Sequence, residues 1–208
     1  MLGYQTTQKE TMLLEEIEHI HPAQTIQVAS WHKEDPIAEG EGLLNLVSRQ
    51  NLMNFLLWHE EDIARAPNEP DQVIAQVKHN IDGYNQRRND LIEKIDEELI
   101  TILADEGAKL PNQGPLNSET PGSMIDRMSI LALKVYHMQE QVERTDVDES
   151  HRQKSAEKTR VLQLQRDDLF NCLKTLLGEV KAGSRQFKIY RQFKMYNDPE
   201  LNPKIYGA

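Results

Sequence analysis

The chain has 208 residues, with 24 Lys plus Arg against 34 Asp plus Glu, a formal charge of −10 near neutrality. At 38% apolar, 28% charged and 6% aromatic, it reads as long, solvated helices around a lean core. It offers nothing like the about 18 consecutive apolar residues that a membrane-spanning helix requires. A single cysteine, Cys172, excludes a disulfide framework and a thiolate zinc site.

Charge divides the chain into an acidic body and a basic end: residues 1–66 carry −7, 67–118 carry −5, 119–183 carry −1 and 184–208 carry +3. An acidic body repels polyphosphate, so nucleic acid is not an expected partner, whereas a local basic cluster can still hold a small anion. The first residues lack a basic segment followed by an apolar one, so a cytoplasmic chain is expected.

The predicted elements are helices throughout. Residues 10–21 form a short helix bearing Leu13, Ile17 and Ile20, which Pro22 ends; residues 23–42 read as a mixed-polarity connector. Leu43, Leu46, Val47, Phe55, Leu56, Trp58 and Ile63 recur at helical spacing and stop at Pro67, giving the first core helix. Pro70 suits the first turn of the second, whose stripe runs from Val73 through Tyr84 and Leu91 to Ile102, with Gly107 and Pro111 ending it. Thr120-Pro121 is an N-cap followed by proline, so a third helix starts there and continues to about 142, apolar nearly all round. The last long helix starts near 148–150 and ends at Gly183, a good C′ residue. Cys172 falls on its apolar stripe and reads as core. Residues 187–196 fit both an alternating and a helical pattern, and Asn197-Asp198-Pro199 is a turn signal.

The expected fold is therefore all-α: an antiparallel bundle of four long helices (43–183), a short N-terminal helix with its connector (1–42), and a basic, aromatic tail (184–208) packed back on the bundle.

Four runs carry a resemblance: Trp58-His-Glu-Glu-Asp-Ile-Ala-Arg65, Asn117-Ser-Glu-Thr-Pro121, Ile125-Asp-Arg-Met-Ser-Ile-Leu-Ala-Leu-Lys-Val-Tyr-His-Met138 and Lys194-Met-Tyr-Asn-Asp-Pro-Glu-Leu-Asn-Pro203. In order and content they resemble the bacterial family catalogued as domain of unknown function 4254, over roughly residues 52–206. The resemblance implies no activity or catalytic residue. Genes of that family often lie near sugar transferases for cell-envelope polysaccharides, which implies a phosphorylated or nucleotide sugar as ligand, by association alone.

Two polar constellations stand out when the helices are levelled by counting back from their links. Arg88 lies on the apolar stripe of the second core helix beside Asp82, Asn85 and Asn89. His137 falls level with it, and His59 and Asp62 lie one to two turns from Asp82 and Asn85. This histidine cluster reads either as a pocket that binds a divalent metal or supplies a general base, or as a structural network in which Arg88 pairs with Asp62 or Asp82. At the other end, Asn117, Thr120, Asp126 and Arg127 meet the tail residues Lys188, Arg191 and Lys194. They form either an anion site at a helix N-terminus or simple capping.

Ferritin-like and zincin spacings, phosphate-binding glycine loops and a nucleophile elbow are all absent from the sequence. The expected function is binding, with processing left open, of a small anionic ligand such as a phosphorylated or nucleotide sugar. The alternative is a non-catalytic scaffold or partner-binding module. No cofactor or metal is specified, and a homo-oligomer is compatible with either reading.

Overall fold

The computed structural model describes residues 12–193, 195 and 198–207. In chain order the helices are α1 (Met12–Trp31), α2 (Gly42–Arg65), α3 (Asp71–Asp105), α4 (Pro121–Glu143), α5 (Glu149–Lys181) and the single turn α6 (Pro203–Tyr206). Among the described residues there is no strand, only an isolated parallel bridge between Leu116 and Gln186. The fold is all-α, and no described helix is long and apolar enough to cross a membrane.

The sequence signals place the ends well. Thr120 Oγ1 accepts from the Ser123 N–H at 3.2 Å and Pro121 occupies the first turn of α4. Asp148 caps α5 by accepting from the His151 N–H at 2.7 Å. Gly107 and Gly183, just past α3 and α5, adopt φ of 91° and 78°, the left-handed region where a Cβ is penalised. Helices α2 to α5 run alternately up and down. Asn80 on α3 donates to Glu60 on α2, Gly122 at the start of α4 donates to Asp96 on α3, and Arg166 on α5 donates to the Met128 carbonyl on α4.

The N-terminal helix departs from expectation. It continues through Pro22 to Trp31, so residues 23–31 are helix and the connector shrinks to 32–41. Proline removes one intrahelical donor, but the apolar face does not break there: Ile17, Ile20, Val28 and Trp31 are all buried, with Gln24 between them. The exposed turn at Pro22 is also stitched from outside, because the His21 carbonyl accepts from Arg166 at 2.6 Å. Packing on α2, α4 and α5 makes α1 a fifth bundle helix.

Two apolar clusters fill the bundle. The larger holds Ile17, Leu43, Ile95, Leu99, Ile125, Met128 and Leu173; the smaller holds Val28, Trp31, Phe55, Ala132 and Leu133. Between them along α1, α2 and α4 lies a buried polar layer of Gln24, Gln50, Asn51, Asn54, Asp126 and Ser129, joined by Arg166 from α5. Among the described residues no carboxylate hydrogen-bonds to Arg166. It donates instead to the Met128 and His21 carbonyls, Thr25 Oγ1 and Gln24 Oε1, and burial lowers its pKa to about 10. Cys172 is exposed, contrary to expectation; the neighbouring Leu173 takes the core position.

The tail returns to the loop before α4. The Gln186 N–H donates to the Pro115 carbonyl at 3.0 Å and the Asn117 N–H to the Gln186 carbonyl at 2.7 Å. Contact is close enough that a Cβ on Gly114 would sit 2.5 Å from the Arg185 nitrogen. Phe187 is buried in the larger cluster, but Tyr190 and Phe193 are exposed, so of these three rings only Phe187 anchors the segment; Tyr196 lies outside the described residues.

Candidate functional site

Asp126 is the centre of the polar layer. Its carboxylate accepts from Arg88 Nε at 2.7 Å, from Arg88 Nη2, from Gln50 Nε2 at 2.6 Å and from Asn54 Nδ2 at 2.9 Å. Asn54 also donates to Ser129 Oγ at 2.6 Å, and Ser129 in turn donates to the Asp126 carbonyl. One helix thus supplies the anion and two others converge on it with donors. The fork of Arg88 on Asp126 is the bidentate geometry in which guanidinium and carboxylate pair best. Hydrogen bonding to Asp126 raises the Arg88 pKa against the opposing effect of burial. The partner of Arg88 is therefore neither Asp62 nor Asp82. Asp82 instead pairs along α3 with Lys78, four residues away.

The free edge of this network faces a cavity of about 470 Å³ lined by Asn54, Trp58, Glu61, Asp62, Arg65, Asn85 and Arg88, with Leu57, Ile130 and Leu133 as its apolar wall. Of the expected cluster, Asp62, Asn85 and Arg88 meet here. Glu61 and Arg65 pair with each other at 2.6 Å. Asp62, Asn85 and Arg88 Nη1 have no hydrogen-bond partner among the described residues, so the cavity wall retains an acceptor, an amide and a cationic donor for a guest.

His59 and His137 gather on the far side of Trp58, with His32 as a third member. Centroid separations are 5.1 Å for His32 to His59, 4.9 Å for His32 to His137 and 6.0 Å for His59 to His137. The His32 ring stacks on Tyr136 at 4.0 Å and the His137 ring on Trp58 at 4.6 Å. Burial, reinforced by the two neighbouring imidazoles, lowers the pKa of His59 and favours its neutral form. Sequence levelling placed His59 and His137 correctly near one another. His32 falls in the expected connector, 23–42, where helix levelling does not reach.

The second expected constellation does not assemble as an anion site. Asp126 turns inward to Arg88, and Arg127 pairs with Glu119 at 2.6 Å. Arg191 reaches α3, where Glu93 and Glu97 take its two terminal nitrogens at 2.9 and 2.5 Å. Asn117 donates to the Glu119 carbonyl and Thr120 caps α4. Lys188 is exposed, and Lys194 lies outside the described residues. Carboxylates of the acidic body thus occupy Arg127 and Arg191, two of the cations expected to hold a ligand.

Gln50, Asn54, His32 and Arg166 were not anticipated. A signal for the first two existed: Val47, Gln50, Asn51, Asn54 and Phe55 share one helical face, which places amides inside an apolar stripe. Arg166 carried the same signal, since it lies three residues before Leu169 and seven before Leu173 on the buried face of α5.

The family model described as protein of unknown function (DUF4254) matches residues 44–189. The chain belongs to that family, and the match takes in α2 to α5 together with the cavity between them. No curated protein matches the chain, and no solved structure does.

Proposed function

We propose that this protein binds a small ligand carrying hydroxyl groups and one anionic group, of the phosphorylated-sugar or nucleotide-sugar class, in the cavity between α2, α3 and α4. The observation that carries this reading is the set of unpaired Asp62, Asn85 and Arg88 Nη1 around a space of about 470 Å³, within the about 300–1,000 Å³ typical of small-molecule sites. Asp62 and Asn85 suit sugar hydroxyls, and the Trp58 ring at the rim offers a flat apolar face. Arg88 supplies the cation; its bond to Asp126 fixes its direction and leaves Nη1 for the guest. The family's association with envelope-polysaccharide genes supports the same ligand class.

Calorimetry with a hexose 1-phosphate, a UDP-sugar, the neutral sugar and inorganic phosphate tests the proposal. One saturable site per chain is expected for a phosphorylated sugar, weakened at least about tenfold by Asn85→Ala, which removes one hydrogen bond to a guest. Absence of binding by all four probes would overturn it. A second reading, a scaffold or partner-binding module, draws on another face: Val161 and Leu164 are 53% and 61% exposed beside an apolar groove between α4 and α5. A stable dimer by light scattering, lost in Val161→Asp, would favour that reading.

A further inference from the structure

We propose that His32, His59 and His137 form a site for one divalent transition-metal ion of the zinc class. A nitrogen of each ring lies within 4.8 Å of a nitrogen of the other two. The site is built from three parts of the chain: the residue that follows α1, the last two turns of α2 and the second half of α4.

Hydrogen bonding fixes which nitrogen His32 and His137 offer. His32 Nδ1 lies 2.7 Å from the Val28 carbonyl, which only accepts, so Nδ1 carries the proton and Nε2 presents its lone pair. His137 Nδ1 lies 2.8 Å from Glu140 Oε2, and the same reasoning leaves its Nε2 bare. Both Nε2 atoms are buried and without a hydrogen-bond partner. Two inward lone pairs with no donor would ordinarily be costly. A metal ion satisfies both together with His59. The carbonyl and the carboxylate on the outer nitrogens are the supports that metal-binding imidazoles usually have. Stacking on Tyr136 and Trp58 holds the His32 and His137 ring planes.

Tetrahedral zinc with bonds of about 2.0–2.1 Å holds its ligand nitrogens roughly 3.4 Å apart. Binding therefore draws the rings together by about 1 Å. Three imidazoles leave a fourth position for water, as in three-ligand zinc sites. The site is separate from the sugar cavity, with Trp58 between them, and does not depend on the ligand reading.

The test is titration of the metal-stripped full chain with Zn²⁺ by calorimetry and with Co²⁺ by visible absorption. One ion per chain is expected, with the intense d–d bands of four-coordinate Co²⁺ and a rise in Tm on saturation with zinc. His59→Ala and His137→Ala should abolish the bands, whereas His79→Ala, on the exposed face of α3, should not. Because the histidine variants can perturb packing, Glu140→Gln provides a second readout: it leaves the rings in place and should weaken metal binding about 10- to 100-fold. Octahedral Co²⁺ spectra, no change in Tm with zinc, or affinity unchanged by both Glu140→Gln and His59→Ala would overturn the proposal.

Discussion

Asp96 offers the sharpest test of how this bundle is held together. It lies on α3, only 2% exposed, and accepts the Gly122 N–H at 2.7 Å, so it caps the N-terminus of α4 from a neighbouring helix. Approach is close: a Cβ on Gly122 would lie 2.6 Å from the Ile92 carbonyl oxygen. Burial pushes the Asp96 pKa up from 3.8 to about 6, and the bonds to Thr120 and Gly122 only partly oppose that rise. In a carboxyl whose folded pKa exceeds its unfolded value, the native state holds the proton longer. The group therefore costs no stability well below pH 4, costs progressively more as pH rises from about 4 to 6, and costs a constant amount above. The full penalty is about 3 kcal/mol, of which about 1 kcal/mol is present at pH 4.5. Asp96→Asn keeps an acceptor for the Gly122 N–H and removes the ionisation. In urea unfolding the variant should be more stable than the parent by about 2–3 kcal/mol at pH 7.5, and by no more than about 1 kcal/mol at pH 4.5. A variant that is less stable at pH 7.5, or one whose gain is equal at both pH values, would refute the argument.

Asp126→Ala should destabilise by about 3 kcal/mol, since it strands the Arg88 guanidinium along with the Gln50 and Asn54 amides; denaturant midpoints check this. Arg166→Met should cost about 2–4 kcal/mol despite a similar side-chain volume, because the Met128 and His21 carbonyls lose a buried donor, and the loss should appear as a lower Tm. In the tail, Phe187→Ala should cost about 3 kcal/mol, whereas the exposed pairs of Arg191 with Glu93 and Glu97 limit Arg191→Ala to about 1 kcal/mol or less. Equal melting shifts for those two variants would contradict a ring-anchored tail.

The features legible in the sequence are local. Apolar spacing of three to four residues, Thr120-Pro121, Asp148 and Gly183 mark where α2, α4 and α5 start or stop, because capping and left-handed glycine depend on a few adjacent residues. The same periodicity defines an all-α bundle, and counting along antiparallel helices brought His59 near His137. Tertiary structure decided the rest. Local rules end a helix at Pro22, yet α1 continues because Ile17, Ile20, Val28 and Trp31 bury one uninterrupted face, and only that continuation delivers His32 to the other two imidazoles. The partner of Arg88 was equally nonlocal. Asp126 reads in sequence as one acid of the polar cluster near the start of α4, but the rotation of α4 turns it inward, where donors from α2 and α3 converge. Charge pairing across elements then consumed Arg127 and Arg191, since an acidic body offers Glu119, Glu93 and Glu97 within reach. Helix ends follow from short-range chemistry, while the pairing of buried polar groups depends on how whole helices rotate and pack.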